Sequence, residues 1–209
     1  MPLKYAYHPG NVAHSSATEV AETMEPVAQS LGIKLVPMMG ATSCGAGIIR
    51  QASRRLQLTL NARTFAMAEE LGLDIITPCA ATAGNLHEDL ALLKQDPILL
   101  GEVNEVLERT CGRSFSGGID VRHLLHVIVD EIGIEKLEAV VRERRAKALF
   151  VETSVRDALN NMIQQIAQSS GAKVGGTLYS DSLGAPESGA DTYIHMMKHN
   201  LSTLADTLK

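Results

Sequence analysis

Tryptophan is absent from the 209 residues, which hold only four tyrosines and three phenylalanines. So few rings leave no aromatic platform on which nucleic-acid bases would stack, and a net charge of −5 supplies no basic stripe to follow a phosphate backbone. Nucleic acid is therefore not an expected partner. No apolar run approaches the roughly 20 residues that a membrane span requires, and the opening MPLKYAYHPG lacks the apolar stretch of a signal peptide. The three cysteines, Cys44, Cys79 and Cys111, are too few for a disulfide framework. Together these absences predict a soluble protein of a reducing compartment, the cytoplasm. The glycine-containing segment GATSCGAG (40–47) has neither G-x-G-x-x-G nor Gly-Lys-Ser/Thr. It reads as a tight turn rather than a nucleotide cradle.

The hydrophobic fraction, 45%, and the length suit one large domain or two small ones. Apolar runs at 3–10, the first ending in a turn, 33–38, 73–77, 147–153 and 172–179 read as strands. Periodic segments at 15–32, 53–72, 80–94, 97–110, 121–133, 134–145, 154–169 and 188–208 read as helices. Several boundaries carry chemical punctuation: Ser16 and Glu19 at capping-box spacing, Asp96-Pro97 opening the helix at 97, and Gly32 closing the first. Pro26 is expected to kink that first helix. Expected apolar faces are Val20, Met24, Val27 and Leu31 in the first helix and Leu56, Leu60, Met67 and Leu71 in the second. In the last helix they are Ala190, Ile194, Met197, Leu201, Leu204 and Leu208. Strands alternating with helices predict an α/β fold of three layers, a mostly parallel sheet with helices on both faces. Ligands of such sheets gather at the carboxyl ends of the strands. Those ends carry His8, Asn11, Ser43, Cys44, Cys79, Thr82, Glu152 and Asp181.

The segments YAYHPGNVA (5–13), TSCGAG (42–47), NARTFAMAEELGLDIITPCAATAGNL (61–86) and VRHLLHV (121–127) follow one another in a familiar order. Residues 3 to about 142 thus resemble the first cysteine-rich (CCG) domain of the heterodisulfide reductase B-subunit family. The resemblance implies an α/β fold and membership of a redox complex, with other redox subunits as partners. In that family cysteines in these segments hold an iron–sulfur cluster. The matching positions here are Asn11, Ser43, Cys44, Cys79 and Thr82. Only Cys44 and Cys79 keep a thiol, and oxygen donors replace soft sulfur poorly. The resemblance therefore implies the fold and argues against the cluster. It leaves Cys44 and Cys79 as remnant cofactor positions and assigns no catalytic residue, so it does not settle whether the chain is an enzyme. Cys111 lies outside the pattern.

From about Glu143 the character changes. FVET (150–153), GAKVGGTLYSDSL (171–183) and ADTYIHMMKHN (190–200) resemble the end of the cluster A-I solute-binding proteins, which capture zinc or manganese for transporters. That resemblance implies Glu152 and Asp181 as carboxylate ligands for Mn or Zn. The family's histidine ligands come from another lobe, which has no counterpart in this sequence. Replacement donors are sought in His8 and His14, with Cys44 and Cys79 also near strand ends. His195 and His199, one helical turn apart, are expected on the solvent face of the last helix. His123 and His126 are expected to serve packing or capping. The expected organisation is a CCG-like domain, 1–142, and a solute-binding-protein-like β-α-β-α segment, 143–209, continuing the same sheet. Three functions are compatible with this reading: a cluster-less redox-subunit homologue or scaffold, a divalent-metal binder, or a recombined or engineered chimera without evolved activity.

Overall fold

Short runs rich in isoleucine, valine and tyrosine recur between helical stretches, and in the computed structural model those runs pair as parallel strands. The structure describes residues 3–11, 13, 18–153, 157–179 and 182–209, with the backbone alone at 157–159. The chain divides into two compact units, Met1–Glu131 and Ile132–Lys209.

In the first unit, β1 (Leu3–Tyr7), β2 (Ile33–Pro37), β3 (Ile75–Thr77) and β4 (Val121–His123) make a parallel sheet of order β2-β1-β3-β4. The connecting helices are α1 (Thr18–Leu31), α2 (Ile48–Ala52), α3 (Arg54–Glu70), α4 (Ala80–Gln95) and α5 (Pro97–Cys111). A single turn, α6 (Leu124–Val127), follows β4. All of β3 is buried, so the centre of the sheet is covered on both faces. The core gathers Phe65, Ile75, Leu86, Leu93, Leu107 and Phe115, with the two phenylalanine rings 5.4 Å apart. Burying each such side chain contributes roughly 1.5–3 kcal/mol. The Asp96-Pro97 punctuation works as expected, the Asp96 carboxylate accepting from the N–H groups of Ile98 and Leu99.

Two local expectations are corrected. Residues 121–133 are not one helix. Val121–His123 instead pairs with β3, and a π-helical turn, Ile128–Ile132, follows α6. A three-residue strand is too short to show a period of its own beside the helical signal that follows it. In α3 the expected face holds only in part: Met67 is buried, but Leu56 and Leu71 are exposed, and Gln57, Asn61 and Thr64 are buried with Leu58 and Phe65. Gln57 and Asn61 share the Asp89 carboxylate and Thr64 bonds back to the Leu60 carbonyl, and apolar periodicity does not register such bonds.

The second unit contains α7 (Ile134–Glu143), β5 (Ala148–Glu152), α8 (Asp157–Ser170), β6 (Lys173–Leu178) and α9 (Tyr193–Leu208). β5 and β6 pair in parallel as a two-stranded sheet of their own, whereas the sequence reading has one sheet continuing past residue 143. The apolar run of β5 says that it needs a partner. The strand reached by the next crossover, through α8, provides one at low loop-closure cost. The stripe expected to bury the last helix holds only at Ala190, which is buried: Ile194 is 65% exposed and Leu201 61%, while Met196, off the stripe, is buried.

Candidate functional site

The winding of the first sheet decides where a site forms. The chain runs from β1 out to β2, returns past β1 to β3, and continues to β4. The reversal opens a crevice at the carboxyl ends of β1 and β3, the usual ligand position of open parallel sheets. The loops emerging there carry His8 to Asn11 after β1, Thr42 to Cys44 after β2, and Pro78 to Thr82 after β3.

Two glycines let these loops approach. Gly10 has φ +96°, and a Cβ there would lie 2.7 Å from the Cys79 Cβ. Gly45 has φ +74°, and a Cβ would lie 2.8 Å from Gln57 Cγ. Both a side chain and an ordinary backbone are excluded at these points.

The approach brings Asn11, Ser43, Cys44, Cys79 and Thr82 together. Ser43 Oγ donates to Asn11 Oδ1 at 2.8 Å, and the fully buried Cys44 thiol donates to the same oxygen at 3.4 Å. Thr82 Oγ1 lies 3.5 Å from Cys44 Sγ, and Asn85 Nδ2 points at that sulfur from 3.8 Å. Cys79, half-buried, is the N-cap of α4. Burial raises its thiol, but the Thr82 hydroxyl and the N–H groups of Thr82, Asn11 and Ala81 outweigh it, and the thiol lies below its ordinary range. A four-iron cluster takes cysteine thiolates at its irons. Two thiols, an amide and two hydroxyls, four of them bonded to one another, do not fit that group.

Beneath the crevice lies a buried polar network that the sequence reading missed. Asp89, fully buried on α4, accepts from Asn61 Nδ2 at 2.6 Å and Gln57 Nε2 at 3.1 Å, and pairs with Arg54. Asn61 also donates to the Cys44 carbonyl at 3.0 Å, so the network holds the Cys44 loop from below. Arg50 extends it at the surface, donating to Asn85 Oδ1 and forming a two-pronged pair with Glu88. Apolar periodicity gives no signal for it, since Gln57, Asn61 and Asp89 become core residues only once the two helices pack.

His8 is buried at the crevice edge. Its Nδ1 accepts from the Gly10 N–H at 3.1 Å, so Nε2 carries the proton given to the Thr42 carbonyl at 2.9 Å. The backbone engages both nitrogens, and metal binding would require releasing one. A cleft of about 410 Å³ runs beside it between the ends of β1 and β2, lined by Tyr7, Asn11, Met38 and Ser43 among others. His123 caps α6 by accepting the Leu125 N–H at Nδ1, so Nε2 carries the proton given to Pro78 O, as its capping reading expects. Burial, with the neighbouring His126, holds His123 below the usual histidine value despite the Pro78 bond. Cys111 donates to the carbonyl of Leu107.

In the second unit Glu152 ends β5, half-buried. Asp181 and His14 lie outside the described residues. His195 bonds Asp191 on the exposed side, whereas His199 is half-buried, bonded to the Thr177 carbonyl and edge-on to Tyr179. No group of three or more metal-ligating side chains occurs among the described residues, nor does a helix long and apolar enough to cross a membrane.

Comparison with known proteins divides the chain in the same way. Residues 5–86 match the family profile of the cysteine-rich domain, and residues 132–207 match that of the zinc-uptake complex component A, periplasmic. A heterodisulfide reductase B-subunit-like protein of Archaeoglobus profundus is 28% identical over 141 residues, 67% of this chain and 47% of that protein. The manganese-binding lipoprotein MntA of Halalkalibacterium halodurans is 37% identical over 75 residues, 36% of this chain and 24% of that one. The chain therefore spans about half the length of the first relative and about a quarter of the second. Among solved structures, a hypothetical protein from Helicobacter pylori overlays with a TM-score of 0.57 at 14% identity, covering 97% of this chain and 37% of that one. That overlay supports the α/β fold alone. Both sequence resemblances are borne out: the first part of the chain is similar to one family and the last part to the other.

Proposed function

We propose, for a chain whose first part is similar to a redox subunit and whose last part is similar to a metal-capturing lobe, that residues 3–131 act as a non-catalytic CCG-type module. It keeps the fold and the strand-end cradle of that domain without its cluster, and serves as a docking or scaffold subunit for redox proteins in the cytoplasm. One observation carries the reading: Asn11, Ser43, Cys44 and Thr82 satisfy one another where the family places cluster ligands. Anaerobic reconstitution with ferrous iron and sulfide tests it. We expect neither stoichiometric iron and sulfide nor a charge-transfer band. A stoichiometric cluster would overturn the proposal.

The second unit supports a separate reading, because its similarity to manganese- and zinc-capturing proteins covers nearly all of it. We propose Glu152 and Asp181 as the carboxylate pair for such an ion, hard donors that suit Mn²⁺ and tolerate Zn²⁺. Binding would raise the melting temperature, contributing about 2.7 kcal/mol at a hundredfold excess over the dissociation constant. The gain should vanish in Glu152→Gln/Asp181→Asn. A parent that melts identically with and without either ion, from micromolar to millimolar, would leave this unit without the assigned function. The chimera reading would then account for it.

A further inference from the structure

We propose that Cys79 and Cys44 form a peroxide-sensitive thiol pair, closing to an intrachain disulfide across the Thr82 hydroxyl. The inference rests on the module reading in one respect, that the two thiols are not committed to a cluster.

Position comes first. Cys79 and Thr82 are the N-cap and third residue of α4, a 16-residue helix, so both stand over its first turn. The Thr82 hydroxyl donates to Cys44 Sγ across 3.5 Å, and the same hydroxyl is among the groups that lower the Cys79 thiol. Thr82 is thus common to both sulfurs. The Cβ position at Gly10 gives a second bearing, since that single point is 3.4 Å from Cys79 Sγ and 3.9 Å from Thr82 Oγ1. Nothing larger than hydrogen at residue 10 stands in the way.

The two thiols also divide the roles that such chemistry needs. Cys79 is half-buried, open to a small oxidant, and sits on helix N–H groups that favour its thiolate. Cys44 is fully buried, cannot meet the oxidant first, and gives its proton to Asn11 Oδ1. It is placed to resolve. The Cys79 thiolate attacks one oxygen of hydrogen peroxide, the O–O bond breaks, and hydroxide leaves and takes up the proton lost by Cys79, giving a sulfenic acid and water. Cys44 sulfur then attacks Cys79 Sγ. An S–S bond forms, the S–O bond breaks, and the departing hydroxide leaves as water with the Cys44 proton. Two thiols lose two electrons, and one peroxide becomes two waters.

The test uses the full chain, reduced and free of metal, treated with hydrogen peroxide and followed by intact mass and peptide mapping. The parent and Cys111→Ser should both lose two hydrogens and yield a Cys44–Cys79 linked peptide. In Cys44→Ala the reaction should stop after one added oxygen, trapped by dimedone at Cys79. In Cys79→Ser, peroxide-dependent thiol loss should fall to the slow rate of Cys111. Thr82→Val keeps the side-chain shape and removes the hydroxyl. It should move the pH profile of Cys79 alkylation upward, which a purely structural role would not do. A parent that adds oxygens without losing two hydrogens, or that links through Cys111, overturns the proposal, as does one whose three thiols survive at equal rates. Iron reconstitution tests the module reading separately, so the two can fail independently.

Discussion

Replacing Asp89 should unfold the first unit more readily than any change in the crevice above it. In Asp89→Ala, Gln57 Nε2 loses its acceptor in a site without exposure, which costs about 1–3 kcal/mol. Breaking a buried ion pair costs about 3–5 kcal/mol, but Arg54 is 35% exposed and already reaches Glu88 at 3.3 Å. Its share therefore falls at the low end, and Asn61 keeps the Cys44 carbonyl. These contributions overlap, and the expected loss is about 3–4 kcal/mol. Asp89→Asn preserves shape and one acceptor but sets an amide N–H against the guanidinium, so about 2 kcal/mol is expected. Urea unfolding measures both, through a lower midpoint at unchanged slope. The same variants should speed alkylation of Cys44 in the native state, because Asn61 loses the carboxylate that fixes its side chain while still bonding the Cys44 loop. An Asp89→Ala protein within about 0.5 kcal/mol of the parent, the scale of an ordinary surface change, would refute the reasoning.

Glu69 clamps the loop before β4, accepting from Ser116 N–H and hydroxyl and from Gly118 N–H at 2.6–2.8 Å. Burial raises its pKa, but the hydrogen bonds from Ser116, Gly118 and Gly117 outweigh it, and the folded value lies below the ordinary 4.5. Its contribution is thus fully present above pH 4.5 and is lost as pH falls through the folded value. Glu69→Gln should cost roughly 1 kcal/mol at neutral pH, and the gap to the parent should close on acidification; a gap that widens would reverse the sign. We propose the unit boundary as a third test. The second unit buries few apolar side chains, Ile166, Ala167, Ala190 and Met196 among them, so limited proteolysis should remove it first. A resistant fragment ending near residue 131 is expected. One ending near 142 would restore the boundary drawn from sequence, and one running past 152 would refute both.

Legibility in the sequence followed the kind of signal. Helices α4 and α5 were readable almost to the residue, because Asp96-Pro97 and the apolar repeat on each side act locally. The crevice was readable because a parallel sheet sends every loop of one kind to one edge, so Asn11, Ser43, Cys44, Cys79 and Thr82 had to be neighbours in some order. β4 was not readable, since its strand character lies in pairing with Ile75 and its neighbours rather than in its own three residues. The Asp89 network was missed for a related reason. A buried carboxylate is tolerable only when its partners arrive from another helix, and the sequence of α4 alone says nothing of Gln57, Asn61 and Arg54. The last helix erred in the other direction: an apolar repeat states which side would prefer burial, not whether anything covers it.

Gly10 and Gly45 imply an uneven record of selection around the crevice. Each is held at a backbone geometry that other residues rarely adopt and at a spacing where a Cβ would force its neighbour to shift, so a library of variants should be nearly empty at both. Asn11 and Ser43 carry only exchangeable hydrogen bonds at the rim, and there the same library should be populated. The scaffold of the pocket is thus frozen where Asn11 and Ser43 at its rim are free to drift. From such a state a new pocket chemistry is reachable by single substitutions, without a step in which the fold is lost.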